Sequence, residues 1–172
     1  MLPPRKQKKL LPAISKEQLS ILENHALTER DRVILNLLWH SGMKLSEATN
    51  VKSKDFNWEE GSVVILGKGN RFRKALAGND IVRTWFTSHD SLGITAYGLS
   101  TMLRRLGQAS GIHCNPHSFR RGFCIHNVKS GLSNKVIQSL GGWETPDMVS
   151  HYAASLTFDD ALKIYKVVNT DA

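Results

Sequence analysis

Along most of this chain apolar residues recur at helical spacing, and the breaks between the recurring stretches fall at capping and turn residues. Ser15 stands three positions before Gln18, a capping-box pattern that opens a helix with Leu19 and Leu22 on one face. A second helix is predicted to start near Thr28, to carry Val33, Ile34, Leu37 and Leu38 as a buried stripe, and to end at Gly42. A third, short one covers Ser46 to Asn50. The period then changes. The run from Asp55 to Leu66 reads as a turn followed by a β-branched strand, Gly67-Lys68-Gly69-Asn70 reverses the chain, and Arg71 to Leu76 reads as the return strand. Beyond Gly78 the helical period resumes, first with Ile81 and Trp85, then with Leu99, Met102, Leu103 and Leu106 up to a stop at Gly111. Further helices are predicted over Ser118 to Lys129, Ser133 to Leu140 and Pro146 to Tyr152. The last carries Phe158, Ala161, Leu162 and Tyr165 behind a Thr157 cap. The fold class is therefore mainly α with a small antiparallel β-sheet (α+β), and no internal repeat is visible.

Composition narrows the partners more than the fold. At 172 residues and 41% hydrophobic content the chain fits one domain with a buried core. Its longest apolar stretches, Val33 to Trp39 and Val63 to Leu66, are far too short to span a bilayer, and no signal-peptide layout opens it. A cytoplasmic protein without a membrane partner is expected, with Cys114 and Cys124 reduced. A formal charge of +8 implies a surface that attracts a polyanion, nucleic acid first, although charge alone also fits a ribosomal-like or merely soluble basic protein. Arg5, Lys6, Lys8 and Lys9 lie between prolines and read as a basic, irregular lead-in.

Two short segments carry candidate chemistry. His117 and Arg120 are three residues apart, so a helix introduced by Pro116 projects both from nearly one face. A guanidinium fork and an imidazole together suit a phosphate. Taken alone the pair also reads as surface residues flanking a core Phe. Downstream, Leu140-Gly141-Gly142-Trp143 precedes Tyr152, and alone that phenol reads as a core residue with a bonded hydroxyl.

Taken together, His117-Ser118-Phe119-Arg120-Arg121-Gly122-Phe123, Leu140-Gly141-Gly142-Trp143 and Val149-Ser150-His151-Tyr152-Ala153 closely resemble the C-terminal motif set of the tyrosine recombinases, the phage-integrase family. Upstream, Ser41-Gly42-Met43-Lys44-Leu45-Ser46-Glu47 resembles the family's Gly-x-Arg-x-Ser-Glu element, and Leu66-Gly67-Lys68-Gly69-Asn70 its lysine-bearing β-turn. The resemblance runs from about Ser15 to the end. It implies a lead-in over residues 1–13 and a catalytic domain over 14–172; most family members carry an additional N-terminal core-binding domain, which is not expected within these residues. It also implies strand cleavage and rejoining through a 3′-phosphotyrosyl intermediate, without cofactor or metal, in site-specific recombination of double-stranded DNA.

Residue by residue, the resemblance makes Tyr152 the nucleophile and Lys68 the general acid for the departing 5′ oxygen. Arg120 holds a nonbridging oxygen, His117 assists proton movement or bonds the phosphate, and Trp143 donates its indole N–H where many relatives use His. One position departs from the pattern. The family's first arginine falls on Lys44, which brings a point charge without the bidentate fork. Losing one charge-assisted fork in the transition state costs a few kcal/mol, on the order of a hundredfold in rate.

Other readings share these residues. A degenerate recombinase fold that binds DNA without cutting it, and a type IB topoisomerase working as a monomer, are the two functional alternatives. His113, Cys114, His117, Cys124 and His126 cluster in sequence but match no common zinc spacing, and Cys124 reads better as a small buried hydrophobe. Tyr165 falls in an apolar stripe from Phe158 to Val168. By resemblance that stripe contacts a neighbouring copy in an oligomer on DNA, and packing against its own domain is equally open. Arg104, Arg105, Lys129 and Lys135 are scattered basic residues whose default is a solvated face and which collectively suit a DNA surface.

Overall fold

A computed structural model describes residues 1–3 and 10–170, and of Lys68 the main chain. The basic lead-in residues Arg5, Lys6, Lys8 and Lys9 lie outside the described residues. Three helices open the chain: α1 (Lys16–His25), α2 (Glu29–Ser41) and α3 (Leu45–Asn50). A small sheet follows, made of β1 (Phe56–Asn57), β2 (Ser62–Leu66) and β3 (Phe72–Leu76), and then α4 (Asp80–Ser88) and α5 (Ala96–Ser110). The C-terminal part is α6 (Pro116–Lys129), α7 (Asn134–Gly141), α8 (Asp147–Ala153) and α9 (Phe158–Val168).

The caps expected at Ser15 and Thr157 are made, and the structure adds others at Thr95 and Asn115. Ser15 Oγ accepts from the Gln18 N–H while the Gln18 side chain accepts from the Ser15 N–H, both at 3.1 Å. Thr28, Thr95, Asn115, Ser133 and Thr157 cap α2, α5, α6, α7 and α9 through their side chains. α2 is buried around nearly its whole circumference, with Val33, Ile34, Leu35, Leu37 and Leu38 inaccessible, and α1, α4 and α6 pack on it. A second, smaller cluster joins Cys124 and Val128 of α6, Ile137 of α7, and Val149 and Tyr152 of α8. Phe119 belongs to the larger core, so α6 is the wall shared by both.

The segment before α1 is stitched to α6. The Ile14 N–H donates to the Ser118 carbonyl, and the Ile14 carbonyl accepts from Trp39 Nε1, each at 3.0 Å. The strands are antiparallel in the order β1-β2-β3, with Ser62 opposite Leu76 and Leu66 opposite Phe72. Val63 and Ile65 face the core while Val64 and Leu66 face out, the alternation of a sheet covered on one side. β1 is an addition to the expected hairpin: a two-residue strand whose existence depends on pairing with Val63 and Ser62. α9 differs from the other long helices in burying no residue, with Phe158 79% and Tyr165 64% exposed.

Candidate active site

The site is organised where α2 ends. Gly42 takes φ +68°, and a Cβ there would stand 2.7 Å from the Phe123 ring, so only glycine lets α6 approach this turn. Arg120, 7% exposed on α6, reaches across and donates from Nη1 to the carbonyls of Gly42 (2.6 Å) and Gly141 (3.1 Å). Both carbonyls close helices, α2 and α7, where partial negative charge collects. The guanidinium lies 4.5 Å from the centre of the Trp143 ring, a cation–π contact. Burial pulls its pKa down to about 10, the Arg73 charge adds to this and Glu47 opposes it, so Arg120 remains charged at neutral pH. Its Nε and Nη2 bond no described residue and still reach the surface, leaving donors for an anion.

Around Arg120 lies an open cavity of about 580 Å³ lined by Lys44, Ser46, Ser100, Asn115 and His117 among others. His117 sits in the first turn of α6, whose start is fixed by Pro116 and by Asn115 Oδ1 accepting from the Ser118 N–H at 2.9 Å. It is exposed, and the positive end of the helix points where it stands. Lys44 is exposed directly before α3, and its N–H donates to Glu47 Oε1 at 2.8 Å. Glu47 is 2% exposed and takes a two-point bond from Arg73, Nε to Oε2 and Nη2 to Oε1, both 2.8 Å. Burial pushes the Glu47 carboxyl up, but the bonds from Arg73 and Lys44, with the charges of Arg73 and Arg120, outweigh it and hold the carboxyl below its usual range.

Trp143 follows the Gly141-Gly142 turn. No Cβ fits at Gly141 against the Trp143 ring, and Gln138 brackets the residue by accepting its N–H and donating to its carbonyl, each at 3.1 Å. The indole N–H makes no bond to a described residue. Lys68 opens a short 3-10 turn, Lys68–Asn70, between β2 and β3, which places its main chain on the hairpin tip as expected. Its side chain lies outside the described atoms.

Tyr152 stands apart. It is 3% exposed, packed with Cys124, Val128, Ile137 and Val149, and does not line the cavity. Burial raises its phenol pKa, the nearby Cys124 adds to this and Arg121 opposes it. The structure gathers Lys44, His117 and Arg120 at one cavity, sets Trp143 beside Arg120 but packed on the second apolar cluster, and buries Tyr152 within that same cluster, so the core-phenol reading describes its position. Its hydroxyl has no hydrogen bond to a described residue, unlike the bonded phenol expected of that reading.

One further reading is refined. Arg104 and Arg105 are both exposed on α5, as the solvated-face default has it, and Arg105 in addition pairs with the buried Asp31 at 3.1 Å. The clustered His and Cys residues do not converge. His126 packs on Trp39 with centroids 4.6 Å apart, His113 bonds Asn115, Cys124 is fully buried, and no group able to hold a metal occurs among the described residues. Arg73 escaped notice because its role depends on hairpin register and on partners far away in the chain.

The Phage integrase family matches residues 8–158. The tyrosine recombinase XerC of Vibrio cholerae serotype O1 (strain ATCC 39541) is 28% identical over 186 residues, covering 94% of this chain and 60% of the relative. The chain thus spans somewhat over half the length of that relative. Among solved structures, XerA recombinase superposes with a TM-score of 0.74 at 19% identity, over 94% of this chain and 66% of the other. XerH site-specific recombinase bound to its difH substrate, in a pre-cleavage complex, gives 0.69 at 20% identity, over 91% and 54%. With Lys44, His117 and Arg120 lining one cavity and the family match extending over residues 8–158, this chain belongs to the phage integrase family, the tyrosine recombinases.

Proposed function

We propose that this chain cuts and rejoins double-stranded DNA in site-specific recombination, with Tyr152 as nucleophile. The observation that carries the reading is Arg120. A buried, charged guanidinium fastened by two carbonyls yet keeping donors free, beside Lys44 and His117, is a preformed seat for a phosphodiester. The net charge of +8 and the exposed Arg104 on α5, next to Ser100 of the same cavity, suit a duplex lying across this face.

In the reaction the Tyr152 hydroxyl loses its proton and attacks phosphorus. The bond to the 5′ oxygen breaks, that oxygen takes a proton from Lys68, and a 3′-phosphotyrosyl ester remains. Rejoining is the reverse, with a 5′ hydroxyl attacking the ester and Tyr152 leaving, so no energy source is consumed. Arg120 and Lys44 balance the charge that grows on the nonbridging oxygens, His117 bonds the phosphate or relays the proton, and the Trp143 indole N–H donates to an oxygen. With Tyr152 buried in the apolar cluster, a shift of α8 is the proposed step that presents its hydroxyl to the phosphate. The solvent-facing stripe Phe158, Leu162 and Tyr165 of α9 supports docking on a second copy, so that paired sites are handled by an oligomer.

A nicked suicide substrate tests the reading, since loss of the small fragment traps the ester. The native chain is expected to form a covalent adduct, and Tyr152→Phe to form none while binding DNA equally. Binding without any native adduct would favour a noncatalytic module. Relaxation of supercoiled plasmid at no particular site would favour a topoisomerase.

A further inference from the structure

We propose that Arg73 is a positioning residue of this site, whose side chain joins the hairpin, the start of α3 and the end of α7 into one phosphate-binding cleft. The proposal rests on the recombinase reading above. Arg73 lies on β3 opposite Ile65, in the strand that returns from the Lys68 turn. Its three nitrogens all donate: Nε and Nη2 to the Glu47 carboxylate, Nη1 to the Leu140 carbonyl at 3.3 Å. A guanidinium so engaged is not placed as a phosphate ligand.

What it holds is specific. Glu47 Oε1 also accepts the Lys44 N–H, so the Arg73–Glu47 fork fixes the main chain from which Lys44 projects. Leu140 precedes Gly141, whose carbonyl anchors Arg120, and lies three residues before Trp143. At Gly142 an added Cβ would come within 2.8 Å of the Arg73 guanidinium, so the turn leading to Trp143 is moulded on it. Three segments distant in sequence meet on one planar group. A lysine has a single nitrogen and cannot reproduce a fork to a carboxylate with a third bond to a carbonyl.

Removing Arg73 alone leaves Glu47 buried with one N–H donor and with Arg120 as the remaining guanidinium whose charge acts on it. Charge balance and positioning must therefore be separated. The experiment compares the native chain, Arg73→Lys, Arg73→Gln and the double variant Glu47→Gln with Arg73→Gln, which removes both charges. Thermal unfolding, affinity for a duplex half-site, adduct formation rate at saturating nicked DNA, and amide exchange without DNA are measured on each.

Arg73→Gln is expected to slow adduct formation about a hundredfold with DNA affinity changed less than about twofold. Arg73→Lys restores little of the rate. The double variant regains thermal stability but stays slow, and the amides of Lys44, Gly142 and Trp143 exchange faster than in the native chain. Recovery of both stability and rate in the double variant would reduce Arg73 to a charge partner of Glu47 and overturn the proposal. Native exchange at those three amides in the double variant would overturn it as well. The exchange result stands without any catalysis, so a native chain that forms no adduct sinks the recombinase reading and leaves the positioning claim decided on its own evidence.

Discussion

In the cleft between α3 and α6 every charged group at the back is tied down: Arg120 to two carbonyls, Arg73 to Glu47 and Leu140, Glu47 to the Lys44 N–H. The C-terminal segment is held differently. Tyr152 is kept by apolar contacts with Cys124, Val128, Ile137 and Val149, and α9 beyond it buries nothing. Directional bonds set positions to fractions of an ångström, whereas apolar contacts tolerate sliding at modest cost. Under the recombinase reading proposed above, this contrast separates a hydrogen-bonded seat for phosphate from a tyrosine held by apolar packing, and makes presentation of the tyrosine a step of its own.

The largest expected effect strikes the fixed half. Arg120→Ala should lower the adduct rate about a thousandfold and destabilise the fold by about 2 to 4 kcal/mol by orphaning two carbonyls; suicide-substrate kinetics and denaturant titration check both numbers. A result in which stability falls but rate does not would detach the guanidinium from catalysis. Lys44→Arg restores the bidentate fork that the family pattern calls for and should speed cleavage by about tenfold to a hundredfold. An unchanged rate there would locate the slow step in the release of α8 and so sharpen the contrast.

The movable half predicts smaller numbers. Val149→Ala removes apolar contact from the face of α8 that holds Tyr152, costing about 2 kcal/mol of stability while raising the adduct rate on nicked DNA about threefold. A slower rate would mean that the buried arrangement is the reactive one. Last, Phe158→Ser with Tyr165→Ser should change stability by less than about 1 kcal/mol, leave single-site cleavage intact, and reduce recombination between paired sites, read from plasmid products. A large stability loss would instead tie the stripe to its own domain.

Local rules explain why much of the fold was legible. Ser15 with Gln18, Thr28 and Thr157 act on main-chain groups within three or four residues, so their sequence spacing already states the contact. The Gly67–Asn70 turn and the alternating strand before it are equally local, and they placed Lys68 on the hairpin tip. β1 was missed because two residues carry no period and exist as a strand only through pairing. In the site, His117 and Arg120 were legible as one helix face, and the family motifs supplied Trp143, Lys44 and Tyr152.

Arg73 was not legible, since its partners Glu47 and Leu140 lie 26 and 67 residues away and no spacing rule connects them. The stripe of α9 shows the same limit from the other side: periodicity reveals that a helix has an apolar face but not what that face meets.

By itself the sequence determined the helix and strand order, the basic character, and the set of groups able to handle a phosphate, because these follow from side-chain chemistry and short-range geometry. Tertiary packing alone brings Lys44, His117 and Arg120 to one cavity and sets Trp143 and Tyr152 on the second apolar cluster beside it. The reason is that burial and long-range hydrogen bonds are properties of packed elements, which no local spacing rule states.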